Sequence, residues 1–309
     1  VPASIASLSV VQELQTAIDA IDQDAGLRNE HNFASRGRAI DAIEFRVLDR
    51  IDGLSGSAVP AAELALLRAQ AEQLRTRLED IDRALFQRLR QDIRLGTCRG
   101  AALLRLIDGF VDREAVGAKS LTEPGYDDLD AFVNGLLLAQ PVPDATSERE
   151  PEMVFYQQTP ARVILELANR AALTADDLFY DVGCGLGQVP ILVHLLTGVP
   201  AIGVELEPAY CAFASQCAVD LNVHHVSFTH ADARTADYAA GTVFFMYTPF
   251  EGGMLELVLT RLYHRARSRR IRLFTYGPCT RQVSRHGGFE RIGGQHEDDE
   301  HELAEFVSV

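Results

Sequence analysis

Between residues 178 and 188 an apolar run containing one acid, Leu178-Phe179-Tyr180-Asp181-Val182, passes straight into Gly183-Cys184-Gly185-Leu186-Gly187-Gln188, with glycine at every second place of the turn. Few folds accept such a segment. A buried strand that reverses into a helix through alternating glycines uses their access to φ > 0 and lets a ligand approach the backbone where a Cβ would clash. The unpaired N–H groups of the helix start face the same space. The segment therefore predicts the ligand-binding turn of an open, mostly parallel sheet. Taken alone, it is equally the signature of a tight turn.

Spacing and charge narrow the ligand. A dinucleotide fingerprint needs G-x-G-x-x-G, whose last glycine would fall where this chain has Gln188. Asp181 stands near the strand end, where a carboxylate suits a cationic group better than a pyrophosphate. Both observations turn the reading from a nicotinamide dinucleotide to S-adenosylmethionine, which carries a sulfonium and an α-ammonium and no phosphate. A second apolar strand, Ala201 to Glu205, ends in Glu205, placed to accept both ribose hydroxyls. A third, Val226 to Asp232, ends in Asp232, a candidate acceptor for the adenine amino group. Each acid alone reads as a helix N-cap; together, at successive strand ends, they read as a cofactor edge.

With these residues in place, the chain from about residue 150 to 309 resembles a class I S-adenosylmethionine-dependent methyltransferase. Within that family it is most similar to the branch of the non-SET histone-lysine methyltransferases and the small lysine methyltransferases of mitochondrial proteins. The resemblance is carried by Tyr156-Gln157-Gln158-Thr159-Pro160, then a helix, then the run from Phe179 to Val189. It implies a Rossmann-like α/β domain whose mostly parallel seven-stranded sheet has an antiparallel edge. It also implies that Tyr156 and Thr159 fold over the methionine end of the cofactor. Further cofactor contacts are implied for Asp181, Gly183, Gln188, Glu205, Asp232 and Ala233, to which the turn itself adds Gly185.

The chain departs from that branch after its fourth strand, Gly241 to Met246. Where the histone enzymes carry an asparagine pair, this sequence has Tyr247-Thr248-Pro249-Phe250, and the basic segment that holds nucleosomes is missing. The acceptor is therefore not carried over with the fold; a protein lysine, a protein terminus, and a small-molecule amine or hydroxyl all stay open. Methyl transfer is an in-line displacement that needs an acceptor lone pair about 3 Å from the methyl, opposite the sulfur, with water excluded. Tyr247, by its place at the strand end, is the candidate acceptor-positioning residue.

The remaining order predicts a complete sheet. Met254, Leu255, Leu257, Val258, Leu262 and Tyr263 recur at helical spacing, and Ile271 to Tyr276 reads as a fifth strand. Phe289 to Ile292 and Leu303 to Val307 form a closing pair across a polar turn. That turn, His296-Glu297-Asp298-Asp299-Glu300-His301, has metal-ligand residue types but reads as solvated charge, and no metal is expected.

Composition excludes several classes. The formal net charge of −15 disfavours a sequence-blind nucleic-acid binder, which needs a concentrated cationic surface. Lys119 is the only lysine; the segment from Arg261 to Arg272 reads as a solvated helix end, with a local basic patch facing an acidic partner as the alternative. Five cysteines without C-x-x-C spacing suit reduced thiols and a cytoplasmic setting. Cys184 reads as packing within the turn, since transfer from a sulfonium needs no covalent enzyme intermediate. There is no apolar run of membrane-spanning length and no cationic secretion start; the first residue is Val1, which leaves the native start open.

The first half of the chain is of another kind. Leu64, Leu67, Ala71, Leu74, Leu78, Ile81 and Leu85 alternate steps of three and four, with Pro60 before them and Gly96 after. Amphipathic stretches flank this seam on both sides. The expectation is an all-helical domain over residues 1–139, acting as lid, substrate-recognition or dimerising unit. A linker follows at 140–151, rich in proline and small polar residues, and then the methyltransferase domain at 152–309. The seam reads as an intramolecular bundle, with a homodimeric coiled coil as the alternative. A second class of function keeps the fold without the chemistry: a cofactor-binding scaffold that engages a partner through its helical half.

Overall fold

The computed structural model describes residues 5–113, 125–267, 269–293 and 300–309. Two compact units divide the chain: Val1–Leu89 with Ile107–Asp112, and Arg90–Leu106 with Arg113–Val309.

The first unit is helical. Helices α1 (Ile5–Gln23) and α2 (Phe33–Ala42) are followed by a π-helical turn, Ile43–Leu48, then α3 (Asp49–Gly53) and the long α4 (Ala61–Arg94), whose last turn belongs to the second unit. The seam of α4 is filled by the chain's own side chains: Leu64, Leu67, Ala71, Leu74 and Leu78 share one core with Leu14, Ile18, Ile43, Val47 and Ile51. Gly96, at φ +76, ends the helix as expected, with the N–H of Thr97 reaching back to the carbonyl of Asp92 at 3.1 Å. Arg36 is 0% exposed, and its guanidinium donates to the carbonyls of Leu27, Asn29 and Glu30 and to Asp82.

In the second unit, α5 (Ala101–Asp108), whose last two residues belong to the first unit, and α6 (Asp128–Leu137) precede α7 (Ala161–Ala171) and the sheet. The strands are β1 (Phe179–Val182), β2 (Ala201–Glu205), β3 (Val226–His230), β4 (Val243–Tyr247), β5 (Arg272–Tyr276), β6 (Phe289–Ile292) and β7 (Ala304–Ser308). Between them lie α8 (Gln188–Thr197), α9 (Pro208–Asp220), α10 (Gly252–Ala266) and α11 (Cys279–Arg285). The order across the sheet is β3-β2-β1-β4-β5-β7-β6. Pairing is parallel from β3 through β5 and antiparallel where β7 meets β5 and β6, so the expected Rossmann-like sheet with an antiparallel edge is what forms. All four residues of β1 are buried, as a central strand covered on both faces requires. The chain leaves β1 toward β2 on one side and later returns as β4 on the other, which puts the glycine turn at the switch point of the sheet.

The division between units falls earlier than the linker read from the sequence. Helix α6 packs on α7 and α8, its apolar face of Leu129, Phe132, Val133, Leu136 and Leu137 buried there. An amphipathic pattern shows that a helix buries a face, not which core receives it. The charged run from His296 to Asp299 lies outside the described residues, and among the described residues no cluster of His, Cys, Asp or Glu is arranged to hold a metal. No described helix is long and apolar enough to cross a membrane, and all five cysteines are buried free thiols.

Candidate functional site

The glycine turn takes the conformation its spacing predicts, with φ of +81 at Gly183, +50 at Gly185 and +83 at Gly187. The space freed by the missing side chains is used by the chain itself. A Cβ on Gly183 would stand 2.3 Å from Cβ of Pro249, and one on Gly185 would stand 2.2 Å from Cε2 of Tyr156. Tyr156 thus lies directly on the turn, and Pro249 presses on its start.

Asp181, two residues before the first glycine of the turn, is 3% exposed, and among the described residues no donor offsets the burial of its carboxyl. Burial, and then the nearby charge of Glu205, pushes its pKa well above the ordinary carboxylate range. An unpartnered buried acid is unstable as an anion and becomes stable again beside a cation. Glu205, at the end of β2, accepts from the N–H of Gly185 with Oε2 and from the N–H of Glu207 with Oε1, both at 2.8 Å. Burial raises its pKa against the pull of those N–H groups. A carboxylate offers about four lone-pair sites, so Glu205 braces the turn and keeps acceptor capacity for a ligand hydroxyl.

Gly183 and Glu205 border a cleft of about 240 Å³. Of the residues predicted from sequence, Tyr156, Gly183, Glu205, Asp232 and Ala233 line it. Asp181, Gly185 and Gln188 are buried and do not line it, although Gly185 and Gln188 hydrogen-bond to the lining residues Glu205 and Tyr156; Thr159 is buried in the segment that follows Tyr156. Leu206, Tyr210, Pro249, Phe250 and Met254 also line it, and these the sequence reading missed. The apolar residue after a strand-end acid and the residues after the fourth strand were the signals that could have found them.

Tyr156 is held in place by a polar contact as well as by packing. Its hydroxyl donates to Oε1 of Gln188 at 3.2 Å, and its ring stands 5.3 Å from that of Tyr210. Burial raises its pKa, so the hydroxyl stays protonated and remains a donor. The preceding segment is tied to the end of β2: Glu207 accepts from the hydroxyl of Thr146 at 2.6 Å and the N–H of Ser147 at 2.8 Å while capping α9 through Ala209. Burial opposes its ionisation, but these donors win and bring Glu207 down to about 2.

Two predicted residues have neighbours that the sequence did not show. Asp232 faces the cleft, yet its carboxylate is bonded twice by Nε of Arg234, once by its terminal nitrogen and once by its backbone N–H; Arg234 also pairs with Glu150. The guanidinium beside Asp232 holds its pKa low, so the carboxylate that was to read adenine is already saturated. Tyr247 does not line the cleft. It packs on Tyr276 with ring centroids 5.1 Å apart, and burial pushes its hydroxyl up to about 12.

No protein-family model matches the chain, and no curated protein does. Among solved structures it is similar to an RNA methyltransferase from Salinibacter ruber in complex with S-adenosyl-L-homocysteine, at 18% identity over 49% of this chain and 92% of that one, TM-score 0.39. It is similar to precorrin-6y C5,15-methyltransferase from Geobacter metallireducens GS-15 at 18% identity over 51% and 93%, TM-score 0.38. Similarity to geranyl diphosphate C-methyltransferase from Streptomyces coelicolor A3(2) is 22% over 37% of this chain and 45% of that one, TM-score 0.30. Of that last protein the chain spans less than half the length.

Proposed function

We propose that the second unit is an S-adenosylmethionine-dependent methyltransferase. The observation that carries this reading is Asp181: a buried carboxyl that no described donor offsets, next to a glycine turn at the switch point of the sheet and close to a second acid, Glu205. A pyrophosphate there would be repelled by two acids, whereas an ammonium-bearing nucleoside is attracted. Bound in the cleft, S-adenosylmethionine supplies an electrophilic methyl group on a sulfonium. Asp181 draws in the cationic amino-acid end, Glu205 accepts the ribose hydroxyls, and Phe250 and Met254 offer apolar surface to the base. Tyr156 screens the reactive end from water, and Thr159 closes the same segment behind it.

The acceptor we favour is a nitrogen, with a protein lysine as one case. Supporting this are the Tyr156-x-x-Thr159 pattern shared with lysine methyltransferases and the net charge of −15, which attracts a basic partner and repels a polyanion. Methylation of a small-molecule hydroxyl is the competing chemistry. Titration calorimetry with S-adenosylmethionine and S-adenosylhomocysteine should give saturable binding, and NADH should give none. Incubation with cell extract should then release S-adenosylhomocysteine. Binding without turnover in any extract would leave a cofactor-binding scaffold, and no binding would refute the proposal.

A further inference from the structure

The segment that carries Tyr156 over the glycine turn is fastened to a helix whose amphipathic pattern does not say where it packs. Helix α6 holds it at two points. Asp130, 2% exposed, accepts the N–H of Asp127 with one oxygen at 2.9 Å and the N–H of Ala161, at the start of α7, with the other at 2.6 Å. One helical turn on, and so on the same face, Asn134 exchanges two hydrogen bonds with Gln158: Nδ2 to Oε1 and Nε2 to Oδ1, each 2.8 Å. Residues 158 and 161 are thereby tied to residues 134 and 130.

Asn134 also reaches the glycine-turn helix. Its Oδ1 accepts from Nε2 of Gln188 at 3.4 Å, while Oε1 of the same glutamine accepts from the hydroxyl of Tyr156 at 3.2 Å. A glutamine amide can present either its oxygen or its NH₂ to a neighbour. With Nε2 committed to Asn134, the oxygen is what Tyr156 meets, and a protonated phenol can donate to an oxygen. Without Asn134 the buried amide of Gln188 is free to turn, and the tyrosine would meet two donor hydrogens. Asn134 thus sets the polarity of the group on which the covering ring rests.

We propose that Asn134 is a positioning residue for the cofactor: through Gln188 and Gln158 it fixes Tyr156 over the glycine turn. This rests on the cofactor reading above, and the test separates the two. S-adenosylhomocysteine affinity is measured by calorimetry on the full chain for wild type, Asn134→Leu, Asn134→Asp, Tyr156→Phe and the Asn134→Leu/Tyr156→Phe double variant, with thermal unfolding alongside. Leucine keeps the volume and removes every polar atom; aspartate keeps the acceptor for Gln188. The expected result is affinity weakened about tenfold by Asn134→Leu, within about threefold of wild type for Asn134→Asp, and no further loss from Asn134→Leu once Tyr156 is Phe.

If Asn134→Leu does not fold, the comparison passes to Asn134→Asp alone and in the Tyr156→Phe background. Its smaller loss must then vanish when Tyr156 is Phe. Wild-type affinity in Asn134→Leu, equal losses in the leucine and aspartate variants, or losses that multiply with Tyr156→Phe would overturn the assignment while leaving the cofactor reading intact. Failure of the wild-type chain to bind would remove both.

Discussion

Arg36 in the helical unit and Asp181 at the sheet edge are both buried charged residues, 0% and 3% exposed, and their surroundings are opposite. Around Arg36 the chain supplies three carbonyls and a carboxylate, so the guanidinium is fully used within the fold. Around Asp181 no donor among the described residues offsets its burial, and a second acid, Glu205, is nearby. A fold can satisfy a buried charge when nothing else is asked of it, as the first unit does. A buried charge left unsatisfied is therefore a statement about something the chain binds, and the contrast can be tested by treating both residues alike.

The largest effect belongs to Arg36. Arg36→Ala leaves Asp82 and three carbonyls without their donor, and removing one partner of a buried pair costs about 3–5 kcal/mol. Urea unfolding should show the first unit lose most of its stability; a loss near zero would mean that its buried charge is no better matched than that of Asp181.

Asp181→Asn should do the reverse. The folded-state pKa of Asp181 is raised, so its contribution to stability is present below the ordinary carboxylate pKa and is lost as pH rises toward the raised value. A neutral amide escapes that loss, and the variant should be at least as stable as wild type at pH 7. Its affinity for S-adenosylmethionine should nonetheless fall by about 1–3 kcal/mol, the scale for losing a charged hydrogen-bond partner. Glu205→Ala should lose a similar amount, with added loosening of the glycine turn that Glu205 braces. Normal binding by both variants would place the site elsewhere.

A smaller signal sharpens the same point. Without a cation beside it Asp181 holds its proton above the ordinary range, and an ammonium should bring its pKa down again. Binding of S-adenosylhomocysteine near neutral pH should therefore release a fraction of a proton, visible as a dependence of the calorimetric heat on buffer ionisation enthalpy. The dependence should be absent in Asp181→Asn.

What was legible in the sequence follows from how local each signal is. The strands could be read because a central parallel strand is mostly apolar, as β4 is and as β1 is apart from Asp181, and the turn because glycine is the residue best suited to three alternating positive-φ positions. The strand-end acids were legible because strand ends of a parallel sheet face one edge. The partners of those acids were less so. Arg234 is two residues from Asp232, but the Glu150 that completes the clamp is 84 residues from Arg234. Glu207 to Thr146 spans 61 residues and Asn134 to Gln158 spans 24. Helix α6 shows an apolar face in sequence, and that periodicity cannot say that Asp130 and Asn134 hold the segment around Gln158 and Ala161 that follows Tyr156.

Tyr247 carries the smallest expected change and the finest distinction. Its ring rests on Tyr276 outside the cleft lining, and its hydroxyl has no hydrogen-bond partner among the described residues, so Tyr247→Phe removes no contact that supports the fold or the cofactor. Stability and S-adenosylhomocysteine affinity should stay within about 0.5 kcal/mol of wild type. If Tyr247 positions the acceptor, kcat should still fall, because an interaction used only in the transition state is lost from the rate and not from cofactor binding. An unchanged kcat would make Tyr247 a packing residue and move the search for acceptor contacts to Pro249 and Phe250, which the same loop places in the cleft.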